Sequence, residues 1–255
     1  MSLAGKRAVK HSADAAERVA QAMVRLSDSE DGKAALLACG AAPALVALAG
    51  GGAVKGSADA AEQVVRAMVH LSISEGGKAA LLDCGAAPAL VALAGEGVVK
   101  GSACAAEEVA KAMANLSNND DGIAKLLACG AAPALVALAG EGVVKGSAGA
   151  ASCVARAMLF LSNSADGQAK LLACGAAPAL AALAGEGGVK GSADATEQVA
   201  RAMTNLGVSA DGSFGAGVDG DLGASARGSP KLLAWAAALA LLAFAGVGVV
   251  KGKYY

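Results

Sequence analysis

One spacing governs this sequence. Pro43, Pro88, Pro133 and Pro178 lie 45 residues apart, as do Cys39, Cys84, Cys129 and Cys174. Met23, Met68, Met113, Met158 and Met203 keep the same interval, and no gap is needed from residue 3 to about 206. A unit recurring at such a period buries its apolar face by stacking on its neighbours, so the spacing predicts a one-dimensional array. Composition says how the units pack. Ala is about a quarter of the chain and aromatic residues only 2%. Ala is the strongest helix former, and small side chains let helices approach closely. Each buried Ala removes little area from water, so stability must come from many small contacts.

Within a unit the pattern predicts three helices. The first is short, "GKAALLDCG" at 77–85, with Gly85 suited to the left-handed position that ends a helix. The second starts at Pro88, whose missing N–H costs little in a first turn, and stops at Gly95. The third begins near Ser57 or Asp59 and runs to about Ser72, with Asp59 and Glu62 spaced as a capping box. Val64, Ala67, Met68 and Leu71 then share one face.

"CGAAPALVAL" at 129–138 and "KAMANLS" at 111–117 resemble the armadillo repeat signature at the turn into the second helix and the end of the third. The likeness covers most of the chain, in four clear copies plus partial ones. It implies an all-α, right-handed α-solenoid of armadillo-like three-helix repeats. A HEAT-type solenoid is the alternative, disfavoured by the Gly between a short first helix and a Pro-led second.

Residues 1–212 are accordingly read as armadillo-like repeats, the first one partial, since "LAGKRAVKHSAD" at 3–14 aligns with "LAGGGAVKGSAD" at 48–59. Residues 213–230, "SFGAGVDGDLGASARGSP", lack helical periodicity and read as a flexible Gly/Ser/Asp-rich insertion. The repeat resumes at 231–255 in a degenerate, apolar form in which Trp235 and Leu239 replace the Cys and Pro. Residues 232–250 are 19 uncharged positions, long enough to cross a bilayer. Three readings stand: a terminal cap, a membrane anchor, or an oligomer interface. In the last two, Trp235, Leu239, Leu242 and Phe244 are the docking side chains.

Chemistry finds little support. The connection "GEGVVKGSA" at 95–103 puts Lys100 before Gly101, against the order of a phosphate-binding loop, and Gly95, Gly97 and Gly101 miss the dinucleotide spacing. The four periodic cysteines read as small buried packing residues. Cys104 and Cys153 occur where sister units have Asp59 and Gln63, and no C-x-x-C is present. The only histidines are His11 and His70, so neither a metal site nor a catalytic set is expected. No cofactor is expected either. Glu96, Glu141 and Glu186 read as solvated, and Lys10, Lys55, Lys100, Lys145, Lys190 and Lys251 recur once per unit as a positive ladder. A net charge of −1 gives no sign of a nucleic-acid partner, and the charged N-terminus shows no signal peptide. An intracellular, reducing compartment, cytoplasmic or nuclear, is expected.

The informative positions lie opposite the third helix's apolar face. One rung reads Gln21, Arg66, Lys111, Arg156, Arg201, and the rung four residues later Arg25, His70, Asn115, Phe160, Asn205. The resemblance implies that third helices line a concave groove, where a Trp and an Asn four apart hold an extended peptide in the importin-alpha type. Asn115 and Asn205 match that Asn, but Gln, Arg or Lys stands at the Trp position. A basic groove is more like that of beta-catenin and suits an acidic or polar protein segment. The competing reading is a solvated helix face, because Glu17, Glu62, Glu107 and Glu197 precede the cations by four residues as ordinary surface pairs. Unit four departs from it: Ser152 replaces the Glu, leaving Arg156 unpaired beside an exposed Phe160. The expected function is that of a non-catalytic scaffold. The alternative is an adaptor that docks through 231–255.

Overall fold

The computed structural model describes residues 12–207. Among them are four complete units preceded by a lone third helix, α1 (Ala13–Leu26). The first unit holds α2 (Glu30–Ala38), α3 (Ala41–Ala49), α4 (Gly52–Lys55) and α5 (Ala58–Leu71). The second holds α6 (Glu75–Asp83), α7 (Ala86–Gly95), α8 (Gly97–Lys100) and α9 (Ala103–Leu116). The third holds α10 (Asp120–Ala128), α11 (Ala131–Gly140), α12 (Gly142–Gly146) and α13 (Ala148–Leu161). The fourth holds α14 (Ala165–Ala173), α15 (Ala176–Gly185), α16 (Gly187–Lys190) and α17 (Ala193–Asn205). Residues 213–230 and 231–255, with Trp235, Leu239, Leu242 and Phe244, lie outside the described residues, as do His11, Lys10 and Lys251.

Two positions in each unit require glycine, one for a bend and one for a close contact. Gly40, Gly85, Gly130 and Gly175 sit at φ of 78–86° between the first and second helices, which meet at 72–75°. A side chain there would add about 1–2 kcal/mol of backbone strain. Gly32, Gly77, Gly122 and Gly167 serve a different end. A Cβ on any of them would stand 1.7–1.9 Å from the carbonyl oxygen of Leu26, Leu71, Leu116 or Leu161. The first helix thus leans directly on the backbone at the end of the preceding third helix, and Ser29, Ser74, Asn119 and Ser164 cap it by accepting from that same glycine N–H.

The helix ends correct several expectations. α7 begins at Ala86, two residues before Pro88, which still falls in the first turn. α6 begins at Glu75 rather than Gly77. Ser57, not Asp59, caps α5 by accepting from the Ala60 N–H, so Asp59 lies inside the helix and forms no capping box with Glu62. The connection "GEGVVKGSA" contains the short helix α8, anchored by buried Val99. Cys39 is exposed and Cys84, Cys129 and Cys174 half-buried, because each is the C-cap of a first helix and not a core residue.

Third helices form the spine, each packing on the next from α1 to α17, with second helices stacked beside them. Val64, Ala67, Met68 and Leu71 are buried as the periodicity predicts, and so are Ala60, Ala61, Val65 and Val69. An interior third helix needs two apolar faces because it has a neighbour on each side. Charges tie the units at one edge. Lys55 reaches Glu96 at 3.3 Å and Lys100 reaches Glu141 at 3.9 Å. Glu96 and Glu141 are therefore partners of the lysine row and not merely solvated. Among the described residues, no single helix is long and apolar enough to cross a membrane.

Candidate functional site

The two rungs of the third helices meet different fates. Gln21 donates to Glu17 at 2.9 Å, Arg25 is exposed, and Arg201 stands 3.6 Å from Glu197 with both side chains largely in solvent. Arg66 forks between Glu62 at 2.7 Å and Glu108 of the next third helix at 3.3 Å. His70 Nδ1 lies 3.8 Å from Asp28. Gln21, Arg66 and Arg201 thus keep the surface pair four residues back. Arg25, Lys111 and Arg156 do not: among the described residues none of the three has a carboxylate partner.

Residue size explains why. Glu107, four residues before Lys111, lies over Gly149 of the next third helix, where a Cβ would come within 2.3 Å of its carboxylate. One unit on the pair is reversed: Ser152 is short, and its hydroxyl donates to Asp194. The next position acts the same way. Glu108 holds Arg66 of the preceding helix, but the residue so placed for Lys111 is Cys153 and that for Arg156 is Gln198, neither a carboxylate, and among the described residues the buried Arg156 Nε has no hydrogen-bond partner. An orphaned buried donor costs about 1–3 kcal/mol.

Around Arg156 a cleft of about 290 Å³ opens across three units. Ser72 and Ile73 come from the end of α5, Lys78 from α6, Ala114, Asn115 and Asn118 from α9 and its end, and Arg156 and Phe160 from α13. Asn115 Nδ2 donates to Ser72 Oγ at 3.0 Å, and that hydroxyl donates on to the Val69 carbonyl. Asn205 makes the equivalent bond to Ser162 at 3.0 Å and also donates to Asn163. The two Asn side chains are thus fixed by the preceding unit, each keeping its amide oxygen unspent. Phe160 is half-buried and packs on the core, contrary to the exposed position expected for it, while Ile73 is 61% exposed. Lys78 is buried along its stem and reaches Glu75 at 2.6 Å. Among the described residues no carboxylate lines the cleft.

Ile73 and Asn118 could not be picked out beforehand, because they lie beyond the third helix in the turn. Lys78 also escaped, because a lysine in a first helix reads as solvent-facing. Behind the cleft, burial pushes the Cys153 thiol up to about 11, with Arg156 opposing the shift. Cys153 therefore stays a protonated thiol at neutral pH. Iodoacetamide at pH 8, followed by mass spectrometry of the folded chain, should alkylate exposed Cys39 and Cys104 first and Cys153 last.

No protein-family model matches the chain, and no curated protein matches it. Solved structures do match in fold. An engineered protein superposes with a TM-score of 0.67 at 19% identity, over 80% of this chain and 78% of that one. A designed armadillo repeat protein, solved in complex with the peptide (KR)4, gives 0.65 at 20% identity, over 92% and 87%. A computationally designed armadillo repeat protein for modular peptide recognition gives 0.59 at 22% identity, over 78% and 76%. The chain has an armadillo-like repeat fold.

Proposed function

We propose that this armadillo-like array is a non-catalytic scaffold that binds an extended protein segment along its third helices. The segment carries an acidic side chain that reaches Arg156. The observation that supports this reading is the buried Nε of Arg156, which among the described residues has no partner, at a cleft that none of their carboxylates lines. An arginine fork matches a carboxylate in two parallel hydrogen bonds. Ile73 and Phe160 offer an apolar neighbour for the flanking residue, and the free oxygens of Asn115 and Asn118 can accept peptide N–H groups. Arg66, sister to Arg156, is already neutralised by Glu62 and Glu108, which concentrates the attraction in the middle of the array.

One structural neighbour holds the basic peptide (KR)4, and another is designed for modular peptide recognition. Here the charge of the cleft argues for the opposite preference. Fluorescence anisotropy with labelled (Glu-Leu)4 and (Lys-Arg)4 peptides tests it. Binding of the acidic peptide, weakened by salt and absent for the basic one, is expected. A preference for (Lys-Arg)4 would overturn the reading.

A further inference from the structure

Position 78 carries a charge that its packing does not require. Lys78 is buried, and its equivalents in the third and fourth units are buried Ile123 and half-buried Gln168. Gln168 donates to the Asn205 carbonyl at 3.1 Å, so this position lies under the last turn of a third helix. A neutral side chain fills that place in two units, and a buried ammonium costs more than either. The Lys78 ammonium meets Glu75 at 2.6 Å, but the Glu75 side chain is 77% exposed and does not line the cleft. With one partner in water, such a pair is readily exchanged for another anion. Within the cleft Lys78 is thus a second cation, contributed by a different unit from Arg156.

The repeat supplies its own comparison sites. One unit back, Lys33 and Lys111 stand for Lys78 and Arg156, but Asp28 replaces Ile73 and lies 3.8 Å from His70. One unit on, Ile123 replaces Lys78, and Arg201 has Glu197 at 3.6 Å. Of the three registers, the middle one alone combines two cations with a lining to which the described residues add no carboxylate.

We infer that the acidic side chain taken by this cleft is a phosphorylated serine or threonine, held by Arg156 and Lys78 together. The inference rests on the peptide-binding reading and narrows it to one ligand chemistry. A carboxylate brings a single charge and two oxygens, which the arginine fork already occupies. A phosphoryl group brings about −1.5 to −2 charges at neutral pH and three strong acceptor oxygens. It can bridge Arg156 and Lys78 and still accept from the Asn118 amide N–H.

Fluorescence anisotropy tests this with three labelled peptides, alike except for serine, glutamate or phosphoserine between two leucines. The phosphoserine peptide should bind at least about tenfold more tightly than the glutamate peptide, and the serine peptide more weakly than both. Lys78→Gln and Lys78→Ile install side chains that sister units carry at this position. Each should cut the phosphoserine preference to about threefold or less, with the glutamate peptide bound nearly as before. Lys33→Gln, one unit back, should leave the preference intact. If glutamate and phosphoserine bind alike, or both Lys78 variants keep the preference, the phosphoryl inference falls while the acidic-segment reading stands. Loss of the preference in Lys33→Gln would place the phosphoryl group one unit back and overturn it too. If neither acidic peptide binds, the peptide-binding reading itself fails and the inference with it. Binding to phosphatidylcholine vesicles that carry phosphatidylinositol 4-phosphate, without binding of the phosphoserine peptide, would assign the cleft to a lipid headgroup and overturn the inference.

Discussion

Gly122→Ala is expected to destabilise the array by about 3 kcal/mol or more, lowering its melting temperature by roughly 6–12 °C. The added Cβ would stand 1.7 Å from the Leu116 carbonyl oxygen and 3.1 Å from Asn119 Oδ1. Neither is the free end of a flexible chain: one is the backbone that ends α9, the other the cap of α10. Relief requires α10 to move away from α9, which uncovers Ile123 and Leu126 and loosens the joint between two units. Gly140→Ala is the matched control. Its Cβ meets nothing within 4 Å and it ends a helix at negative φ, so it should be neutral or slightly stabilising. Circular dichroism at 222 nm during heating compares the two. Equal melting temperatures would refute the close approach of α10 to α9.

Arg156→Met is expected to separate binding from stability. Among the described residues the Nε has no partner, so its removal should raise stability by about 1 kcal/mol. The acidic peptide should meanwhile bind at least about thirty-fold more weakly, the cost of removing one half of a desolvated charge pair. Arg201→Met, at an exposed pair with Glu197, should change neither property by more than a few tenths of a kcal/mol. Urea titration and peptide anisotropy on the same samples read both quantities. A residue kept only for packing would lose stability on this substitution, so the sign of the stability change discriminates.

The candidate site was legible in part. Ser152, alone in its row, marked Arg156 from the sequence, and the third-helix rungs placed Asn115 and Phe160 beside it. The partners could not be read, because they arise between units. Glu107 lies over Gly149, Arg66 reaches Glu108, and Lys55 reaches Glu96, each pair about 42 positions apart. A helical wheel describes one helix and carries no information about which neighbour a long side chain prefers.

The sequence by itself determined the repeating all-helical design, since a 45-residue interval of Pro, Gly, Cys and Met leaves stacking as the means of burying each apolar stripe. It also determined the left-handed glycines, because their need is local: Gly85 turns the chain whatever packs around it. Tertiary structure alone decided the second glycine row, whose requirement is a carbonyl on another helix. It alone also decided that Lys111 has no carboxylate partner among the described residues, although Glu107 precedes it by four. Charge pairing depends on reach across an interface a few ångströms wide, and there Glu107 lies over Gly149 of the next third helix instead.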